Sequence, residues 1–494
     1  MNFSNIKTSI VNNRKYLLMY IVLVAIFTLA MFSVKNYQYW GFEAISIPII
    51  TIIGLIAILY SFENEIELHK TALILILLFG LITLFLAPPF TYPDEAIHFT
   101  RAELLSEGVL YPVKTDQGFY VNDYFFELNQ AQKGLTIFDN PAVNTPITNS
   151  KAYIPVTTES PFYSYIPSML GILLSKVLNL TAIFALLFAR LGNLILYAGV
   201  SYYAIKKAPK FKTALTVIAT MPLVIAQVTS TSYDAFILTF TMVILAYFIK
   251  MYADKAENKD LAIFFISVLL ISLIKPPYIM LSLLVLLVPE DSFKQNRNYS
   301  LIAIALVFIA TFLSVGGLLN SIFSSAPASS IASAGNISLT GQVNYILANP
   351  LAIFGLVKYC ITSIPSVFIS DLSFYHYADF KGLKLVNLAY FVFFILFSIF
   401  YKQEINLSKI KRIILLIICL ITYFGIFAIL YLQWTPVGSD IILGIQARYF
   451  IPIIALLPLI INYDLKSVEK YKYLMMVIVF FMTSLLLLTI THYY

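Results

Sequence analysis

Runs of roughly twenty apolar residues recur along the chain, each closed by a short patch of Lys, Arg, Asp or Glu. A hydrocarbon core of about 30 Å takes about 20 such residues as one helical span, so the runs read as membrane helices rather than buried strands. Thirteen spans are predicted, at 16–34, 44–61, 71–87, 182–204, 213–230, 235–250, 261–274, 278–289, 301–319, 385–400, 413–432, 449–461 and 473–490. A further candidate, 161–178 (PFYSYIPSMLGILLSKVL), carries Phe162, Tyr163 and Tyr165 at one end and Lys176 at the other. That arrangement suits an interfacial helix at headgroup level.

The basic residues set an orientation. With the N-terminus cytoplasmic, the predicted inside segments hold 20 of the 32 Lys and Arg, although the outside segments are longer. Counting 161–178 as a span would turn Lys206, Lys207, Lys210 and Lys212 outward against that rule. The first span follows Arg14 and Lys15, is too long for a signal h-region and lacks a small-residue cleavage site, so it is expected to stay. The expected localisation is the plasma membrane, multi-pass, with the functional face extracytoplasmic.

Two long outer segments follow from this layout. The first, 88–160, has nine acids against four bases and many Tyr and Phe, which favours an ordered functional loop. The second, 320–384, opens on SSAPASSIASAG and turns apolar again over 343–369, as helices pressed on the membrane surface would. Three parts result: N-terminal helices over 1–70, a core over 71–463 with an outer loop at 88–181, and a last helix over 464–494.

Composition narrows the classes. The chain has 494 residues, 60% hydrophobic and 12% charged, which excludes most soluble architectures. Its net charge of +7 sits in short loops between apolar runs and forms no basic stripe with interleaved aromatics, so no nucleic-acid partner is expected. Cys360 and Cys419 lie in apolar surroundings and read as packing residues. No inverted repeat of the transporter kind is visible, which ranks transport behind catalysis.

Candidate chemistry concentrates where the third span ends, in APPFTYPDEAIHFTRAELLSEGVLYP (87–112). Pro88, Pro89 and Pro93 resist helix and present Asp94 and Glu95 close to the membrane surface. A helix starting at Asp94 places His98 and Arg101 on its face at i+4 and i+7. Asp94 is either a plain N-cap or a general base tuned by Glu95, His98 or a divalent cation, Mg²⁺ or Mn²⁺, on the two carboxylates.

Arg190 lies within a predicted span, where an Arg needs an acidic partner, helix carbonyls or a cavity. Lys275 (IKPPYI) and Arg448 (GIQARYFIP) stand at the outer ends of spans, and cations on one face can clamp a lipid phosphate. Tyr233 and Asp234 open another span, where the Asp is a cap or a pocket carboxylate and spacing does not choose. Asp371, His376 and Asp379 read as a solvated loop before a ligand set.

Taken in order, PDEAIHFTRA, ARLGN (189–193), STSYD (230–234), KPPY (275–278) and QARYFIP (446–452) resemble the bacterial membrane family catalogued as domain of unknown function 2142. That family is similar in layout to the GT-C superfamily of polytopic glycosyltransferases. The resemblance implies an all-α, GT-C-like bundle with a large first outer loop bearing interfacial helices. It implies a catalytic Asp or Glu near the start of that loop and a sugar donor on a polyprenyl phosphate carrier.

Asp94 matches the catalytic position, with Glu95 beside it, and Asp234 with Tyr233 falls where a second acidic motif lies. Arg448, with Lys275 or Arg101, would hold the donor phosphate, and His98 and Arg190 would belong to the acceptor pocket. The chain departs from that pattern in having two spans before the catalytic loop, Ala447 where relatives carry Gly, and no large soluble C-terminal domain. The expected activity is an inverting glycosyl transfer to a cell-envelope glycan or lipid-linked acceptor at the outer face. Competing readings are a transporter or flippase, or a polymerase, for lipid-linked glycans.

Overall fold

The computed structural model describes residues 3–34, 41–130, 137–294, 297–323, 337–370, 384–461 and 470–494. Helices α1 (Phe3–Val34), α2 (Phe42–Glu63) and α3 (Leu68–Leu86) lead into α4 (Glu95–Ser106), the strand β1 (Phe119–Asn122), the single turn α5 (Phe125–Leu128), β2 (Lys151–Ile154) and α6 (Ile166–Val177). The middle of the chain forms α7 (Ala182–Lys207), α8 (Lys212–Ala219), α9 (Pro222–Val228), α10 (Asp234–Ala253) and α11 (Asn258–Ile274), then a 3-10 helix over Pro276–Leu287 and α12 (Asn298–Phe323). The remainder is α13 (Leu339–Ala348), α14 (Ala352–Thr362), α15 (Lys384–Phe400), α16 (Lys409–Trp434), α17 (Ile451–Ile454), α18 (Leu457–Ile461) and α19 (Tyr471–Tyr493).

Among the described residues seven helices are long and apolar enough to cross a membrane: α1, α2, α3, α7, α10, α16 and α19. An eighth arises if α13 and α14, bent by 114° against each other, count as one passage. Of the six other expected spans one lies in the long helix α12, and five are short or interrupted. Residues 213–230 break at Met221, where Pro222 opens a new helix and cannot continue the ladder of α8. The 278–289 segment winds as a 3-10 helix after Pro276 and Pro277, and 449–461 breaks around Pro452 and Pro458. The segments at 261–274 and 385–400 keep regular helix in α11 and α15, at 17 residues each just short of a full crossing, and 301–319 lies within the 26-residue α12.

Broken helices need their freed carbonyls satisfied. Here side chains do it: Tyr197 Oη donates to Ala219 O at 3.1 Å, Asn193 Nδ2 to Ser230 O at 2.7 Å, and Tyr278 Oη to Tyr449 O at 2.7 Å.

α7 is the axis of the bundle, packed by α3, α6 and α10, while α19 lies against α1, α2 and α3 and is buried along most of its length. One apolar core runs through these helices. A second, built on Phe99, Tyr124, Ile172 and Leu186, lies under the first long loop. That loop is not wholly helical: β1 and β2 pair antiparallel with Phe119 opposite Ile154 and Tyr120 opposite Tyr153. The strands alternate, turning Phe119, Val121 and Ile154 inward and leaving Tyr120 and Tyr153 exposed, which is the period-2 signature of a half-buried ribbon.

Helix α6, at 12 residues, is too short to span. Its Ile166, Leu170, Leu174 and Val177 form an exposed apolar stripe at helical spacing. Its other face meets α7 without a gap: a Cβ on Gly171 would lie 2.0 Å from Phe188 O, and one on Gly192 2.1 Å from Pro167 O. Only glycine at both positions permits this approach.

Candidate active site

The third span stops at Leu86 and the chain turns through Pro88, Pro89 and Pro93 to the start of α4. Arg190 of α7 holds that turn. Its Nε and Nη2 donate to the Glu95 carboxylate at 2.8 and 2.7 Å, and Nη1 and Nη2 donate to the carbonyls of Leu84, Ala87 and Pro88 at 3.2, 2.7 and 2.9 Å. Every guanidinium N–H is used, and neither Arg190 nor the Glu95 carboxylate is exposed. Such a fork pair is a fixed joint. Glu95 is therefore occupied by structure, and Arg190 has both the acidic partner and the helix carbonyls that its place in a span demands.

Asp94, one residue earlier, faces the other way. It stands at the N-cap position with φ 60°, a left-handed conformation that a non-glycine residue adopts at a cost, and its side chain makes no cap hydrogen bond. Asp94 thus holds the N-cap position without the side-chain bond that a plain N-cap makes. Its side chain is 44% exposed and accepts from Arg448 Nη2 at 2.5 Å.

Arg448, from the 3-10 turn Ala447–Phe450, is the hub. Nη1 donates to Pro93 O at 3.1 Å and pairs with Asp234 Oδ2 at 3.1 Å. Asp234, at the start of α10, accepts in turn from Lys275 Nζ at 3.0 Å and from Ser232 Oγ at 3.3 Å. The Lys275 ammonium lies 3.4 Å from the centre of the Tyr449 ring and 5.1 Å from that of Tyr233, both aromatic faces that favour a cation. Asp234 is thus a buried, doubly ion-paired carboxylate as well as the first residue of its helix. The chain Asp94, Arg448, Asp234, Lys275 alternates in sign, and Asp94 is its most exposed member.

His98 is buried, its backbone N–H closing α4 on Asp94 O at 3.2 Å and its Nδ1 sharing a hydrogen bond with Tyr165 Oη at 2.8 Å. Its ring meets Tyr233 edge to face at 4.7 Å. Burial pulls the imidazole down to about 4, so it is neutral near pH 7. Arg101 goes elsewhere: Nη1 and Nη2 donate to the carbonyls of Val109 and Leu110 at 3.3 and 2.5 Å, closing the turn after α4. The left-handed residue at Asp94 takes its side chain off the helical face that spacing assigns to it, so Arg101 does not join the phosphate-holding cations.

The carboxylates of Asp94 and Glu95 go to different guanidinium groups, and no cluster of three His, Cys, Asp or Glu side chains is assembled among the described residues. The donor set does not fit the Mg²⁺ or Mn²⁺ expected at these two positions. Asp371, His376 and Asp379 lie outside the described residues.

Three further groups belong to the site. Tyr449 follows Arg448 directly in QARYFIP, and Tyr165 sits in the aromatic start of the segment before α6. Gln227, a lone amide in the apolar run 221–228, lines a pocket beside Arg448 with Pro93, Leu223, Ile445, Gln446 and Ala447. A polar side chain in such a run was the available signal for it.

The family model described as "Predicted membrane protein (DUF2142)" matches residues 77–457, which takes in the whole site from Asp94 to Arg448. No curated protein and no solved structure matches the chain.

Proposed function

We propose, from the premise that this chain belongs to the DUF2142 family of predicted membrane proteins, that it is an inverting glycosyltransferase using a sugar on a polyprenyl phosphate carrier. The observation that carries the reading is one solvent-open carboxylate, Asp94, held in a left-handed turn and tied through Arg448 to the buried Asp234–Lys275 pair.

The acceptor hydroxyl gives its proton to Asp94 as its oxygen attacks the anomeric carbon. The bond from that carbon to the phosphate oxygen breaks on the opposite face, and its electron pair leaves with the phosphate. The acceptor thus enters opposite the leaving group and the anomeric centre inverts.

Charge bookkeeping favours this division of labour. Before reaction the two acids and two cations of the chain sum to zero. Once Asp94 takes the proton, Arg448 loses its exposed counter-charge and the cluster becomes net positive as negative charge builds on the phosphate. An attraction that grows along the reaction lowers the barrier, whereas one already spent on the ground state does not. No step in this scheme runs through a metal.

The exposed apolar stripe of α6 and the bent pair α13 and α14, with Leu347, Leu351 and Phe354 outward, suit interfacial helices beside an isoprenoid tail. With the short and interrupted helices counted as passages, the bundle reads as GT-C-like, of about thirteen spans, in the plasma membrane with Asp94 on the extracytoplasmic face. The acceptor is then a cell-envelope glycan or lipid-linked glycan.

The test is transfer by purified protein from a polyprenyl phosphate sugar to an added glycan acceptor. Asp94→Asn is expected to lose roughly 10²- to 10⁴-fold in rate with the fold intact. Full activity in that variant removes Asp94 as base. Donor binding with no new glycosidic bond in the wild type points to a flippase instead, and long repeating products to a polymerase.

A further inference from the structure

Two turns bring the acids of the cluster together. One, 88–94, leads from α3 into α4 and carries Asp94; the other, 229–233, leads from α9 into α10 and delivers Asp234. Arg448 bridges them, with Nη1 on Pro93 O and Asp234 Oδ2 and Nη2 on Asp94 Oδ2. A guanidinium is a rigid fork of fixed width, so the bridge closes only while the two turns keep their separation.

Two rungs join the turns. Thr231 Oγ1 donates to Glu95 O at 3.2 Å and Thr231 N to Glu95 Oε1 at 3.4 Å. Two residues earlier, Thr229 Oγ1 gives its proton to the carbonyls of Ile225 and Ala226 at 3.0 and 2.9 Å, and so accepts from Tyr92 Oη at 2.8 Å. Tyr92, Glu95, Thr229 and Thr231 are all buried. Helix α7 stands behind both turns: Arg190 holds Glu95, and Asn193, three residues on along the same face, holds Ser230 O. Of the four hydroxyl residues Thr229 to Ser232, three donate within their own segment, to Ile225 and Ala226, to Gln227 and to Asp234. Thr231 alone among them donates across to the other turn.

Resting on the glycosyltransferase reading for what the spacing serves, we propose that Thr231 is a positioning residue, whose hydroxyl and amide hold the Asp234 turn against the Asp94 turn at the separation that Arg448 bridges. It acts through Glu95 on one side and Asp234 on the other, and takes no proton itself. Ser232 completes the connection, its Oγ accepting from Asp234 N at 3.1 Å.

The test compares Thr231→Val, which keeps the shape and removes the hydroxyl, with Thr231→Ser, which keeps the hydroxyl and drops the methyl. A packing role makes Ser the worse replacement, and a positioning role makes Val the worse. Hydrogen exchange of the full-length protein in detergent, read over 92–98 and 229–236, reports the joint without any substrate. Thr231→Val is expected to raise exchange several-fold in both segments, and Thr231→Ser in neither. In transfer from a polyprenyl phosphate sugar, Thr231→Val is expected to lower kcat about tenfold at unchanged KM, inside the ~10²-fold that a 1 Å misplacement can cost. Thr231→Ser is expected to restore kcat.

Faster exchange in 229–236 alone, or a larger effect of Ser than of Val, overturns the joint. Paired exchange with kcat unchanged overturns the positioning role. Paired exchange in a wild type that transfers no sugar removes the glycosyltransferase reading and leaves the joint supported. Should Thr231→Val fail to fold, Tyr92→Phe removes the other rung, and the same paired rise in the two segments decides.

Discussion

At the residue scale, two neighbouring carboxylates take opposite tasks because their surroundings differ. Glu95 is locked into Arg190, and removing either partner of so buried a pair leaves a charge uncompensated, at a cost of about 3–5 kcal/mol. Asp94 keeps an open edge and a strained backbone, the combination expected where geometry serves chemistry. His98 bonds Asp94 O through its backbone N–H and Tyr165 Oη through its ring, and its burial has a pH consequence.

The unfolded imidazole takes its proton near 6.5 and the folded one only near 4, so between those values acid favours the unfolded chain. The stability that depends on a neutral His98 is complete above about pH 6.5 and is lost as the pH falls toward 4. Thermal unfolding of wild type against His98→Gln is expected to show the steeper acid loss in the wild type within that window. Parallel pH profiles would rule out the neutral buried imidazole.

Asp94, Asp234, Lys275 and Arg448 were legible in the sequence because charges at the ends of apolar runs are costly and few. The direction of Arg101 was not, since one left-handed residue at Asp94 cancels the helical register between them.

At the scale of elements, the first long loop is held to the bundle by glycine. Gly171 and Gly192 let α6 and α7 touch through backbone, and Tyr165, which holds His98, directly precedes α6. Gly192→Ala drives a methyl into Pro167 O and is expected to lower stability by about 1–3 kcal/mol, the range for overpacking, with a matching fall in activity. Gly199, on the same helix, has nothing within 4 Å of its Cβ position, so Gly199→Ala should be neutral or stabilising by up to about 1 kcal/mol. Thermal shifts of the two variants check this directly, and equal shifts would count against the α6–α7 contact.

Hydropathy located these elements but not their continuity. Residues 213–230 and 449–461 read as unbroken spans because proline counts little in an average of apolar residues. Pro222, Pro452 and Pro458 nevertheless stop the ladder, and the irregular backbone this leaves lines the site. The β1–β2 ribbon was missed because four-residue strands in an aromatic loop leave little periodicity to read.

Across the whole molecule, charge divides the two ends of the bundle. Helix α3, about 28 Å long, starts beside His69 and Lys70 and finishes at the turn that bears Asp94. Around its start the connections are tied to one another: the His69 ring meets Tyr202 at 5.0 Å, Phe211 N donates to Glu404 Oε2 at 3.1 Å, and Tyr252 Oη donates to Asn406 O at 3.1 Å. Lys206, Lys212 and Lys411 belong to this end, far from the acidic first loop. A translocating chain retains its basic end in the cytoplasm, which supports the proposal that Asp94 stands on the opposite side.

Cys360 and Cys419 are buried, which leaves the protein suited to labelling at introduced thiols. Val113, 77% exposed in the first long loop, and Ile66, 94% exposed between α2 and α3, mark the two ends. Val113→Cys is expected to react with a membrane-impermeant maleimide on intact cells, and Ile66→Cys only after permeabilisation. The reverse pattern places Asp94 in the cytosol and removes the polyprenyl-phosphate donor from its reach, whatever the geometry of the cluster.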